Sequence, residues 1–308
     1  MKFSLASPKR LASIDIGTNT ILLLIAEVEG ERIRPLSEME TVVRLGEGVQ
    51  ESGILTNEAM NRGIQTLSYY SERCQAIGVQ KIFAVGTSAL REAKNSGEFL
   101  RLVKKKLNLS IEVISGEEEA RLSFLAVSKD LMEANESILV VDVGGGSTEF
   151  ILGRSNQIDE WISLPLGSVR FTEQYLHSDP AREEEWRTME KRIRELLAKI
   201  PHSQEPSSMV AVGGTGTTLA SVEQGLREFT PEKIHHFVLK KEALRDQLLL
   251  YRSKTIEERK EIPGLPAARA DVILAGATIL YLTMEKLNCP SVLISCHGVR
   301  YGLLYTRL

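Results

Sequence analysis

Asp142 ends an apolar run, Ile138 to Val141, and after Val143 come Gly144, Gly145 and Gly146, then Ser147, Thr148 and Glu149. Glycines let the backbone turn with positive φ and bring its N–H groups close to a ligand. Ser147 and Thr148 add hydroxyl donors, so the stretch suits an anion such as a phosphoryl group. Asp142 and Glu149 would repel that anion, but they can hold a divalent cation that bridges to it. One such loop is an ordinary glycine-rich hairpin. Two further turns of related composition, Asp15-Ile16-Gly17-Thr18-Asn19-Thr20 and Gly213-Gly214-Thr215-Gly216-Thr217-Thr218, make a phosphate ligand the better reading.

The surrounding elements repeat as well. Leu11 to Ile14 reads as a strand running into Asp15, and Ile21 to Ala26 as the strand leaving the turn. Ile138 to Val141 and Phe150 to Leu152 flank the second turn in the same way, with Asp142 lying 127 residues after Asp15. This spacing suggests an internal duplication, one hairpin per domain. The third turn follows the strand Met209 to Val212 and opens an apolar helix, so its N–H groups point at an anion. Between the hairpins, Thr56 caps a helix with Met60, Ile64, Leu67, Cys74 and Ile77 on its core stripe, ending at Gly78. Strands follow at Lys81–Val85 and Ile111–Ile114, with an amphipathic helix at Glu98–Lys106 between them.

Ser115 and Glu118 fit a capping box at the start of the helix from Glu117 to about Lys129. Glu119 falls beyond the capping positions, on the side of Leu122, Ser123 and Ala126. A carboxylate there could be desolvated and act as a base, although by spacing alone a pairing with a neighbour is the simpler role. Later come a charged helix at about Ala181–Ile200, a polar loop at 201–208, a helix at Lys240–Tyr251, and an apolar helix at Ala267–Leu282 opened by Arg269 and Asp271. A strand at Ser291–Ser295, the turn Cys296-His297-Gly298 and a final helix from Val299 close the chain. His235 and His236 sit among charged residues without evident metal partners and are read as non-ligands.

With 308 residues the chain has room for two domains. The net charge of −3 and pI of about 6.1 exclude a global field that would favour nucleic acid or an anionic membrane. A phosphorylated substrate would therefore need local basic residues. Three scattered cysteines argue against a disulfide framework and for a reducing compartment. Met1 to Ala12 lacks a signal-peptide apolar core, and no apolar run approaches the ~20 residues of a membrane span. A soluble cytoplasmic protein, with no DNA or membrane partner, is the expectation.

The order of the Asp-x-Gly-Thr hairpin, the Asp-x-Gly-Gly-Gly-Ser hairpin, the Gly-Gly-Thr-Gly-Thr loop and the apolar helix resembles the actin / sugar-kinase / heat-shock-chaperone superfamily. Within it, the chain resembles the exopolyphosphatase / guanosine pentaphosphate phosphohydrolase (Ppx/GppA) family. The carrying residues are Ser13 to Thr20, Gly86-Thr87-Ser88-Ala89-Leu90-Arg91, Ser115 to Arg121, Asp142 to Glu149, and Gly213 to Thr218. The resemblance implies an α/β fold of two ribonuclease-H-like domains with an interdomain cleft, here divided at 1–128 and 129–308, with the final helix free to pack back on the first domain.

It implies roles too. Glu119 takes the place of the family's catalytic base, and Asp142 and Glu149 match its metal-proximal acids, with Asp15 in support. Gly17, Thr18, Asn19, Gly144, Gly145, Gly146 and Ser147 would bind phosphate, with backbone N–H groups of 17–19 and 144–147 as donors and Arg91 and Arg269 as basic partners. Mg²⁺ or another divalent cation, a polyphosphate or pppGpp substrate, and a homodimer are implied. The expected activity is hydrolysis of a terminal phosphoanhydride bond; an ATP-dependent small-molecule kinase and a non-enzymatic polyphosphate or alarmone sensor are the alternatives. Two departures bear on substrate choice. Leu22 stands where family members often carry a basic residue, and Cys296-His297-Gly298-Val299-Arg300-Tyr301-Gly302 lacks both acids of the usual Asp-x-Gly-x-Arg-Glu-Gly turn.

Overall fold

The computed structural model describes residues 8–131, 137–200 and 206–308. The start of the N-terminal segment, the connection through Asn135 and Glu136, and residues 201–205 of the expected polar loop lie outside the described residues. The chain forms two compact units, Met1–Leu122 with Val299–Leu308, and Ser123–Gly298. The expected split at 1–128 and 129–308 thus differs from the compact units at both ends of the second one. Leu122 belongs to the core of the first unit with Val85, Ile114, Val299 and Leu303, and this places the division inside the helix Gly116–Leu131.

In the first unit, β1 (Lys9–Ile16), β2 (Thr20–Glu29) and β3 (Arg32–Val42) form an antiparallel meander. β4 (Lys81–Gly86) runs parallel to β1, and β5 (Ile111–Val113) parallel to β4, giving the order β3-β2-β1-β4-β5. Strand alternation decides the layers. Ile14, Ile16, Ile21 and Leu23 enter a core with Met60, Ile64, Leu67, Phe99 and Val103 from the helices Asn57–Ile77 and Ser96–Leu107. The first of these helices is bounded as its sequence predicts. Thr56 accepts the Ala59 N–H at 3.1 Å, and Gly78 ends it in the left-handed region at φ 75°. The other sheet face receives the last helix, Val299–Tyr305, against β1, where the Ser13 hydroxyl donates to the Arg300 carbonyl at 2.7 Å.

The second unit repeats the plan. β6 (Ser137–Val143), β7 (Thr148–Arg154) and β8 (Gln157–Leu164) are an antiparallel meander. β9 (Ser208–Val212) runs parallel to β6, β11 (Ser291–Ile294) parallel to β9, and β10 (Val238–Lys240) antiparallel to β11. The order β10-β11-β9-β6-β7-β8 is therefore that of the first sheet with one added edge strand. That edge strand is three residues long and carries no alternation long enough to read from sequence. The core packs Leu139, Val141 and Val143 with the helix Ile273–Lys286, which is buried on nearly every side. This helix starts later than the expected Ala267: Pro266 is followed by a 3₁₀ turn, Ala267–Arg269, before the α-helix begins. Among the described residues no helix is long and apolar enough to cross a membrane.

Candidate active site

In each unit the hairpin turn closes with the same bond. Gly17 N–H donates to the Thr20 carbonyl at 2.9 Å, and Gly144 N–H to the Ser147 carbonyl at 3.0 Å. These two N–H groups are thereby committed within their turns. This corrects the expectation that 17 and 144 present them to phosphate: their glycines are needed for the turn, where a Cβ would press on the carbonyl oxygen at 3.1 and 3.0 Å respectively.

The remaining peptides of the second loop are oriented from behind. Ser168 N–H donates to the Gly144 carbonyl at 2.9 Å, and the N–H groups of Val169 and Arg170 to that of Gly145 at 3.0 Å. Arg170 Nε donates to the Gly146 carbonyl at 2.7 Å. A trans peptide points its N–H opposite to its C=O. Holding three successive carbonyls on the 168–170 side therefore turns the N–H groups of Gly145, Gly146 and Ser147 to the other side, as an anion site requires. The first loop is held by the same device. The Thr18 carbonyl accepts from Gly46, and the Asn19 carbonyl from Val43 and Arg44, just beyond β3. The Asn19 side-chain amide is buried, and among the described residues neither its Oδ1 nor its Nδ2 has a hydrogen-bond partner. Such a group is costly unless a ligand completes it.

Gly167 makes this brace possible. A Cβ there would lie 2.3 Å from the Gly145 carbonyl oxygen and 2.5 Å from the Gly146 carbonyl carbon. Gly167→Ala is expected to displace the loop, weakening binding of an anion there and lowering stability by about 1–3 kcal/mol. Thermal melts of the purified variant and its titration with inorganic phosphate check both effects.

Asp142, the residue before the last of β6, is in register with Glu149 on β7, which places two carboxylates on one sheet face. Burial pushes the Asp142 carboxyl up to about 6, against the pull of the Ser123 hydroxyl that donates to it at 3.1 Å. Glu149 is buried at 1% exposure and accepts from Ser147 at 2.8 Å and Ser163 at 2.7 Å, both on Oε1. Paired carboxylates steadied by hydroxyl donors fit a hard divalent cation, whose preferred ligands are oxygens. Beside them, Gly213 adopts φ +80°, and a Cβ on it would meet Asp142 Oδ1 at 2.6 Å. The Arg269 guanidinium lies over Gly214, where a Cβ would fall 2.0 Å from its Nη2. Asp142, the Gly213 turn and the buried Arg269 are thus brought together in the second unit.

In the first unit, Glu119 is buried at 8% exposure and takes an ion pair from Arg91 Nη1 at 2.6 Å. The same Arg91 nitrogen donates to the Ile114 carbonyl at 3.1 Å, so Arg91 holds the glutamate and the end of the preceding strand segment. Glu119 is therefore not the neighbour-paired glutamate that spacing alone favours: it is buried, and its partner lies 28 residues away in sequence. Of the expected capping box, Ser115 accepts the Glu118 N–H at 3.1 Å, while the Glu118 carboxylate turns to Arg121 at 2.7 Å. Asp15 is half-buried, and Leu22 stands directly across from it on β2.

Residues 24–308 match the Ppx/GppA phosphatase family. The chain belongs to this family. Among solved structures it is similar to the Ppx/GppA family member of Aquifex aeolicus, at 34% identity and a TM-score of 0.82, with 97% of each chain covered. It is also similar to an exopolyphosphatase from Cytophaga hutchinsonii, at 29% identity and a TM-score of 0.90, again covering 97% of each chain. The α/β fold with two repeated sheets expected for the Ppx/GppA family is thereby shown. The departure at the C-terminal turn has a structural consequence. Tyr301 stands where the family pattern carries an acid, and its hydroxyl donates to Glu38 at 2.8 Å, next to the Arg300–Glu38 ion pair. Reading the sequence missed Gly167, Ser168 and Arg170, which brace the loop, and Ser123 and Ser163, which hold the carboxylates. The one local signal was a glycine, a hydroxyl residue and an arginine directly after a strand, at 167–170.

Proposed function

We propose that this Ppx/GppA family member hydrolyses a terminal phosphoanhydride bond, releasing phosphate from inorganic polyphosphate or from guanosine pentaphosphate. One observation carries the reading. Three peptide N–H groups, of Gly145, Gly146 and Ser147, are turned to one side of a loop flanked by the paired carboxylates Asp142 and Glu149. In this reading the N–H groups bind phosphoryl oxygens, and Arg269 and the Asn19 amide add donors to the phosphate chain. Asp142 and Glu149 would hold Mg²⁺, with Asp15 assigned the supporting role its equivalent position suggests. The ion, when bound, offsets negative charge on the phosphoryl group.

Glu119 is assigned the general base. It takes a proton from the attacking water, whose oxygen bonds to phosphorus while the bridging P–O bond breaks and the shortened chain leaves. Arg91 holds the glutamate in place through their ion pair. Such catalysis is mainly positioning and electrostatics, the task of a braced loop.

The test is a substrate panel on the purified full-length protein. Phosphate release is measured from long-chain polyphosphate, guanosine pentaphosphate and ATP, with Mg²⁺ and with chelator. Mg²⁺-dependent release from either of the first two is the expected result. Phosphate transfer from ATP to a small acceptor would replace the reading with a kinase, and tight binding without turnover with a sensor.

A further inference from the structure

We propose that Asp130, His235 and His297 form a second metal site in this protein, for a divalent transition ion with the preferences of zinc. The proposed phosphate chemistry uses none of these residues, and spacing along the chain shows no partner for His235. The fold supplies them. Asp130 lies in the last turn of the helix Gly116–Leu131, His235 follows the short helix Pro231–Ile234, and His297 lies in the turn after β11. All three belong to the second unit.

The donor atoms already converge. Asp130 Oδ2 is 3.2 Å from His235 Nε2, Asp130 Oδ1 is 3.8 Å from His297 Nδ1, and one donor atom from each residue lies within 4.8 Å of the others. Bonds of about 2.0–2.1 Å in tetrahedral geometry would set donor atoms roughly 3.3 Å apart, so the cluster needs only a modest contraction. His236 is a candidate fourth donor, with its Nε2 2.8 Å from Asp130 Oδ2. It is held at φ 65°, an uncommon conformation for a non-glycine residue, by its N–H bond to the Ile294 carbonyl at 2.8 Å. The His235 ring is stacked on His236 at 3.9 Å and stands 4.3 Å from His297, so three imidazoles gather at one carboxylate. Two or three imidazoles with one carboxylate select zinc-like ions over Mg²⁺, which prefers oxygen donors.

The hydrogen bonds add a distinctive requirement. The Cys296 N–H donates to His235 Nδ1 at 3.1 Å, so in this arrangement Nε2 carries the ring proton and donates it to Asp130. An ion bound at Nε2 moves that proton to Nδ1, where it faces the Cys296 N–H. Metal binding at His235 and the Cys296–His235 bond therefore exclude one another. Binding must open the turn at 295–298 or rotate the ring, a local change that a purely structural histidine cluster would not show.

The experiment uses full-length, tag-free protein carrying Cys289→Ser, which removes the half-buried thiol, after stripping with chelator. Zn²⁺ is titrated in competition with a chromophoric chelator of micromolar affinity, and Co²⁺ is added separately to read coordination from its visible absorption. One equivalent of Zn²⁺, unaffected by millimolar Mg²⁺ and weakened about tenfold or more by His297→Gln and by His235→Gln, is the expected result. No retained zinc, or retention unchanged in the double variant, overturns the proposal. Should the variants fail to fold, the imidazole nitrogen signals of the Cys289→Ser protein decide it: shifts at His235 and His297 on zinc addition support the site, and unshifted signals reject it. The readout is binding, so it is independent of the outcome of the substrate panel.

Discussion

Glu119→Gln is expected to lower kcat by about 10²–10⁴-fold while leaving KM close to that of the unaltered protein. Glutamine keeps the length and shape of the side chain, and its carbonyl oxygen can still accept from Arg91, which lies 2.6 Å from Glu119 Oε2. What it loses is the capacity to take a proton. The pair is largely buried, so neutralising one partner also has a folding cost, on the order of 1–3 kcal/mol. A melt recorded beside the kinetics separates the two effects, because a stability loss of that size leaves the protein folded at assay temperature. Single-turnover phosphate release with the best substrate of the panel is the measurement. A kcat within about threefold of the unaltered protein would remove Glu119 from the mechanism.

Asp142→Asn is expected to abolish Mg²⁺-dependent turnover and, in metal-free protein, to raise stability. The sign follows from the carboxyl, which burial raises from an ordinary 3.8 to about 6. The folded chain then binds the proton more tightly than the unfolded chain. Relative stability is highest below pH ~4, declines as pH rises from ~4 to ~6, and stays reduced above that. At pH 8 asparagine removes this penalty, worth at most ~3 kcal/mol for a shift of about two pH units and less given the solvent access the side chain retains. The melting temperature of metal-free protein should rise by about 2–10 °C. Adding Mg²⁺ should stabilise the unaltered protein and not the variant, through binding to the folded state alone. A variant that melts lower than the unaltered protein at pH 8, or that still turns over with Mg²⁺, would contradict the assigned role.

Both predictions rest on residues that stand out in the sequence, yet for different reasons. Asp142 was visible because it ends an apolar strand before three glycines, a local arrangement of few meanings. Glu119 was visible only as a carboxylate beyond the capping positions, and the family resemblance raised it. Its partner Arg91 is 28 residues away on another helix, outside the reach of helical spacing. The capping box was half right. Ser115 caps the helix, but Arg121 competes for Glu118 one turn on and wins with two charge-assisted bonds.

The family resemblance implies phosphate binding by the N–H groups of Gly17 and Gly144, whereas closure of each hairpin uses them first. From sequence alone His235 and His236 read as non-ligands for want of partners. Asp130, at a separation of 106 residues from His236, supplies one through the fold.

The amino-acid sequence by itself determined the two strand–turn–strand hairpins, their aspartates, the longer helices and strands, and the family. These depend on alternation, capping and turn chemistry, which act over a few residues. Only the tertiary structure decided which way the loop peptides face, that Arg170 and Gly167 set them, that Arg91 holds Glu119, and that three histidines meet Asp130. Those outcomes depend on strand register and crossover connections, which bring together residues far apart in the chain, and no local pattern of residues records where such partners will meet.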